Sequence, residues 1–128
     1  MMNSKIFSIL YIEDNRANQQ LVELILERKN HLSLSLAADG TRGIELAKSL
    51  VPDLILLDIS LPDMDGYEVL ATLRNEKATK SIPVIALSGD LEKEPTADAP
   101  HTFANYLTKP IQLAPFYKAI DDLLPITV

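Results

Sequence analysis

Leu54-Ile-Leu-Leu-Asp58 is an unbroken apolar run closed by a carboxylate. So short a run, bounded by turn residues, reads as a strand buried on both faces, and it leaves its acid at the lip of the strand. Similar apolar, β-branched segments recur at 6–12, 32–37, 84–87 and 106–107. The stretches between them carry apolar residues at helical spacing instead: Leu21, Leu24 and Ile25; Ile44, Ala47 and Val51; Leu70 and Leu73, with Lys77 in phase; and Leu113, Phe116, Tyr117, Ile120 and Leu123. Strand and helix alternating along the chain predict right-handed crossovers and a parallel sheet covered on both faces. The expected fold is therefore one α/β domain over residues 1–128, a doubly wound five-stranded parallel sheet with helices on both sides.

Local chemistry marks several boundaries. Asp39 and Gly40 precede the second helix and Pro52 closes it, while Pro83 fixes the entry into the fourth strand. Asp65 is placed to cap the third helix, with Gly66 and Glu68 in its first turn. Pro115 falls in the first turn of the last helix, where its missing donor costs little.

Composition excludes several functions. With 128 residues, of which 47% are apolar and 23% charged, the chain has the make-up of an ordinary globular domain that needs no staples. The absence of cysteine removes disulfides, thiol nucleophiles and thiolate metal sites from consideration. A net charge of −6, with the 12 basic residues scattered, argues against direct nucleic-acid binding. The first residues lack the basic-then-apolar pattern of a signal peptide, and no apolar run approaches the roughly 18 residues that span a bilayer. A cytoplasmic location with no membrane partner is expected.

The chemistry gathers at the strand ends. Glu13 and Asp14 follow the first strand, Asp58 ends the third, Ser88 follows the fourth and Lys109 the fifth. In an open parallel sheet those carboxyl ends share one edge, and ligands bind where the winding direction reverses. With strand order 2-1-3-4-5 the reversal lies between strands one and three, so Asp14 and Asp58 become neighbours. Three carboxylates gathered there repel one another and call for a cation. Mg²⁺ is the natural choice, since it takes a few carboxylate oxygens and shares its ligands with phosphates. Lys109 can supply positive charge to such a phosphate and Ser88 a hydrogen bond. A carboxylate nucleophile completes a set suited to phosphoryl transfer.

Four segments, in order and at these spacings, resemble the receiver domain of two-component response regulators: Tyr11-Ile-Glu-Asp-Asn15, Leu57-Asp-Ile-Ser-Leu-Pro-Asp-Met-Asp-Gly66, Ile85-Ala-Leu-Ser-Gly89 and Tyr106-Leu-Thr-Lys-Pro110. The resemblance covers nearly the whole chain and implies a flavodoxin-like fold. It implies Asp58 as phosphoacceptor, Asp14, Asp58 and the Ser60 carbonyl as Mg²⁺ ligands, and Glu13 as a ligand through water. Ser88 and Lys109 become phosphate sensors, Tyr106 a rotamer switch, and the peptide before Pro110 cis. A histidine kinase or phosphotransfer protein is the implied donor, and a downstream protein or attached output domain the implied target. The Glu13-Asp14-Asn15 start, with Asn18 following, looks most like receivers of hybrid histidine kinases. Ser60 and Asp90, two positions beyond Asp58 and Ser88, are expected to flank the phosphoryl group and tune its hydrolysis.

Blander readings stand beside these. Glu13 and Asp14 alone would suit a solvated helix N-terminus, Lys109 and Ser88 alone would be ordinary loop residues, and Tyr106 a half-buried aromatic with its hydroxyl in water. His31 and His101 lack a ligating partner at helical spacing and read as surface, as do Glu92, Lys93 and Glu94. A flavin module of the same topology would need a hydroxyl- and glycine-rich loop after strand one, where this chain is acidic. An aspartate phosphatase would need a second acid where Ser60 stands, and a degenerate docking receiver would lack part of the acid, serine and lysine set. One departure from the family concerns the segment between Ser88 and Tyr106, where a receiver places its fourth helix. Pro95 and Pro100 interrupt it, each costing about 3 kcal/mol in a helix interior, so that helix is expected to be short, displaced or absent, and mobile. The chain ends soon after the last helix, at Pro125-Ile-Thr-Val128, as a stand-alone receiver or a fragment.

Overall fold

The computed structural model describes residues 5–89 and 103–124. Five parallel strands, β1 (Phe7–Ile12), β2 (Leu32–Ala37), β3 (Leu54–Asp58), β4 (Val84–Ser88) and β5 (Asn105–Thr108), form a sheet of order β2-β1-β3-β4-β5. The expected order and element sequence hold. The helices of the described residues are α1 (Arg16–Glu27), α2 (Gly40–Leu50), α3 (Gly66–Asn75) and α4 (Leu113–Leu123). The irregular helix expected from Pro95 and Pro100 lies outside the described residues, as do Asp90, His101 and Glu92 to Glu94.

Alternation along the central strands divides the core into two layers. Phe7, Ile9 and Tyr11 of β1, Leu54 and Leu56 of β3, and Ile85 and Leu87 of β4 pack under α1 and α4, against Val22, Ile25, Phe116 and Ile120. Leu10 and Ile12, Ile55 and Leu57, and Val84 point the other way, under α2 and α3, against Ala47, Val69, Leu70 and Leu73. Every residue of β3 and of β4 is buried, which is why these strands read as continuous apolar runs rather than alternating ones. Burying each such side chain contributes roughly 1.5–3 kcal/mol.

Most helix starts follow the expected chemistry. Asn15, Asp39 and Asp65 cap α1, α2 and α3, their side chains accepting from the backbone N–H of Asn18, Arg42 and Glu68. Gly40 is the first residue of α2 rather than one preceding it, because Asp39 alone takes the extended cap conformation. Val51 closes α2 in the left-handed region, at φ 44°, just before Pro52. No helix of the described residues is long and apolar enough to cross a membrane.

Candidate functional site

Strand register decides which residues meet. β1 pairs with β3 from Ile9↔Leu54 to Ile12↔Leu57, and β3 with β4 up to Asp58↔Leu87. Glu13 stays on the sheet for one residue more, its N–H donating to the Ala37 carbonyl at 2.9 Å. On the other side Lys109 N–H donates to the Ser88 carbonyl at 2.8 Å, which carries the lysine to the same edge. The acids of β1 and β3 and the cation after β5 thus share one end of the sheet.

Carboxylate oxygens of Glu13, Asp14 and Asp58 lie within 4.8 Å of one another. Glu13 and Asp58 are buried and Asp14 is exposed, so the solvated-terminus reading fails for Glu13. Lys109 Nζ sits 2.9 Å from Glu13 Oε1 and 3.4 Å from Asp58 Oδ1. The Ser60 N–H donates to Asp58 Oδ1 at 3.2 Å. Ser88 is buried at the end of β4, while Ser60 is exposed. The Lys109-Pro110 peptide is cis, as expected.

Three further side chains and one backbone N–H organise Glu13. The Tyr11 hydroxyl donates to Oε1 at 2.9 Å and the Asn18 amide at 3.0 Å, so together with Lys109 three donors converge on one oxygen. Gln19 Nε2 donates to the Glu13 carbonyl at 2.6 Å, and Asn15 N–H reaches Oε2 at 3.3 Å. Two of these were legible in principle. Residues two apart on a strand share a face, which puts Tyr11 beside Glu13, and Asn15 with Asn18 carries the cap at the start of α1. Gln19, buried in the first turns of α1, leaves no mark in the pattern.

The charges of the cluster do not titrate as isolated acids. Burial opposes the charge of Glu13, but hydrogen bonds with Lys109, Asp58 and Tyr11 together with the Lys109 charge outweigh it and hold the carboxyl down to about 2. Burial pushes Asp58 up, reinforced by the neighbouring Glu13 and opposed by Lys109, to about 6. Lys109 is raised: burial disfavours its charge, but its bond to Glu13 and the charge of Asp58 favour it more. Burial and the Glu13 charge push the Tyr11 phenol upward, so it stays a donor.

Tyr106 differs from the half-solvated reading. Its hydroxyl is buried and has no hydrogen-bond partner among the described residues, and its ring lies edge-on to Phe103 with centroids 6.3 Å apart. Phe103 in turn meets Tyr67 of α3 at 5.5 Å. His31 is exposed, as expected.

Residues 9–121 match the response regulator receiver domain model. This chain belongs to that family. The receiver is a phosphorylation switch, a phosphoacceptor rather than an enzyme turning over a free substrate. Among curated relatives it is 31% identical to the polar-differentiation response regulator DivK of Brucella ovis, over 91% of this chain and 95% of that protein. It is 36% identical to the DNA-binding dual master transcriptional regulator RpaA of Synechocystis, over 91% of this chain but only 48% of RpaA, so it spans about half that regulator's length. Of solved structures, the receiver of the sensor histidine kinase PA1611 of Pseudomonas aeruginosa superposes with a TM-score of 0.82 at 27% identity, covering 94% of this chain and 99% of the other. That structure has a magnesium ion coordinated in its active-site cleft. A CheY-like receiver from Methylobacillus flagellatus shares the fold at a TM-score of 0.84 and 23% identity, covering 94% of this chain and 100% of that one. These relatives include a sensor histidine kinase, a DNA-binding regulator and a polar-differentiation response regulator, so a hybrid histidine kinase is one context among several for the domain.

Proposed function

We propose that Asp58 is the phosphoacceptor and that the phosphoryl group arrives from a phosphohistidine on a histidine kinase or phosphotransfer protein. The observation that carries this reading is the approach of Lys109 Nζ to 3.4 Å from Asp58 Oδ1, within a cluster of three carboxylates. An Asp58 oxygen forms the new bond to phosphorus as the P–N bond of the donor breaks, and the departing imidazole takes up a proton. Glu13, Asp14 and Asp58 have the hard oxygen chemistry and the spacing that suit Mg²⁺, with Glu13 acting through water and the Ser60 carbonyl as the further ligand. When bound, the ion offsets the charge on the transferring phosphoryl oxygens.

The chain's own groups do the rest. Lys109 is close enough to leave Glu13 for a phosphoryl oxygen on Asp58, and Ser88, at the end of the neighbouring strand, donates its hydroxyl to the same group. Tyr106, with a buried hydroxyl and no partner, is the side chain with most to gain from a rearrangement at Ser88. Ser60 and Asp90 flank the phosphoryl group and set its lifetime, Asp90 by ordering or repelling the attacking water. Residues 1–128 act as one unit in the cytoplasm, as a stand-alone switch or joined to an output partner, including the hybrid-kinase arrangement.

The test is an intact mass after incubation with acetyl phosphate and Mg²⁺. The parent should gain one labile phosphoryl group and Asp58→Asn none. Equal labelling of both proteins would refute the assignment.

A further inference from the structure

The loop between β3 and α3 is tied to a helix other than the one it leads into. Asp63 Oδ1 accepts from the Gly40 N–H at 2.8 Å, and its Oδ2 accepts from the Thr41 N–H at 2.9 Å and the Thr41 hydroxyl at 2.8 Å. Asp39, the local cap, takes only the Arg42 N–H. The first-turn donors that Asp39 leaves free are therefore met by a carboxylate 23 residues further along the chain. Gly40 brings the backbone so close that a Cβ there would run into Met64, next to Asp63. Met64 and Leu61 pack into the α2 and α3 layer.

The other end of the same loop reaches the phosphoryl site. The Ser60 N–H donates to Asp58 Oδ1 at 3.2 Å, and the loop folds back on itself through the Ser60↔Asp65 bridge and the 2.9 Å bond from Gly66 N–H to the Ile59 carbonyl. Those last two ties are internal to the loop. At its ends the loop is held by the Ile59 N–H on the Leu87 carbonyl at 3.1 Å and by Asp65 capping α3; between them, Leu61 and Met64 pack against the core while Asp63 makes directional bonds to α2. The Gly40 and Thr41 donors hold the Asp63 carboxyl down at about 2, so the clasp stays charged at every working pH.

We propose that Asp63 is a positioning residue for phosphoryl transfer: its clasp on α2 holds the Ser60 peptide at the Asp58 carboxylate and makes the first turn of α2 respond when that carboxylate is modified. The proposal rests on the reading of Asp58 as phosphoacceptor. It adds a route from the site to the α2 side of the sheet, away from Tyr106 on β5. Asp63 and Thr41 are exposed, so changing either leaves the core intact.

The experiment compares the full chain with Asp63→Ala, Asp63→Asn and Thr41→Val. Uptake from acetyl phosphate with Mg²⁺ is followed by intact mass, backbone amide shifts by NMR and folding by thermal melts. Asp63→Ala should take up the phosphoryl group several-fold more slowly, and the single-bond losses in Thr41→Val and Asp63→Asn should slow it less. In the parent, phosphorylation should shift the amides of Gly40, Thr41 and Arg42; in Asp63→Ala those shifts should vanish while those of Ser88 and Lys109 persist. Parental uptake in Asp63→Ala, or unchanged α2 shifts, would overturn the proposal, and so would a lowered melting temperature accompanied by both. A parent that labels elsewhere than Asp58 would overturn the underlying reading and the clasp with it, whereas a parent labelled on Asp58 with a silent α2 would overturn the clasp alone.

Discussion

Lys109 Nζ lies 2.9 Å from Glu13 Oε1, joining residues 96 positions apart at the carboxyl end of the sheet. Glu13 is only 1% exposed, so its charge depends on this cation and on the hydroxyl and amide that share the oxygen. Removing one partner of a buried charge leaves the other undercompensated. Lys109→Ala should lower the stability of the metal-free protein by roughly 1–3 kcal/mol, seen in chemical denaturation. It should also lose the amide shifts near Ser88 and Tyr106 on phosphorylation, even where some phosphoryl group is accepted. An undiminished response would count against a sensing role for Lys109.

Stability of the metal-free protein should depend on pH in two opposing ways. Glu13 is lowered from 4.5 to about 2, so its contribution is full above 4.5 and is lost as pH falls toward 2. Asp58 is raised from 3.8 to about 6, so its contribution is full below 3.8 and is lost as pH rises through 6. The melting temperature in chelator should therefore be highest near pH 3.8 to 4.5, decline as pH rises to about 6, and level off above that. Mg²⁺ should shrink the decline by favouring ionised Asp58, and Asp58→Asn should remove it. A melting temperature still rising between pH 4.5 and 6 in chelator would show that Asp58 is not the strained acid.

Tyr11→Phe keeps the ring in its buried place and deletes one donor to Glu13 Oε1. A buried acceptor that loses a partner costs about 1–3 kcal/mol. The melting temperature should fall accordingly, whereas a Tyr106→Phe control, whose hydroxyl has no partner to lose, should melt like the parent or slightly higher.

Val51 is a β-branched residue at φ 44°, a conformation that costs L-residues about 1–2 kcal/mol. It is also 49% exposed, so its side chain buries little. Val51→Gly should raise stability by up to about 1 kcal/mol, the gain being trimmed by the greater freedom of glycine in the unfolded chain. A lower denaturation midpoint would show that Val51 packing outweighs its backbone.

The strands were legible because a two-sided parallel sheet leaves an unmistakable trace, apolar runs such as 54–57 and 84–87 ending in polar residues. Placing Glu13, Asp14, Asp58 and Lys109 together needed only the strand order, since all four follow carboxyl ends. Gln19 and Asp63 were not legible, because their roles come from partners that only the folded chain supplies. Gln19 looks like any residue on the polar side of a helix, and Asp63 like a turn residue between Pro62 and Met64. Tyr106 was open between two environments, and Phe103, which covers it, lies outside the strand pattern altogether.

The strand order has a consequence for how the molecule is born. β1 lies between β2 and β3, so the first strand of the domain to leave the ribosome sits inside the sheet and gains its second neighbour only when residues 54–58 have emerged. Glu13 waits for Lys109, 96 positions later, across the kind of long separation that makes contacts slow to close. Until then the nascent chain carries two inward acids without their cation. Within the domain the site is thus completed only with the last strand, and a chain cut before β5 holds the other four strands and still has no lysine to answer a phosphoryl group.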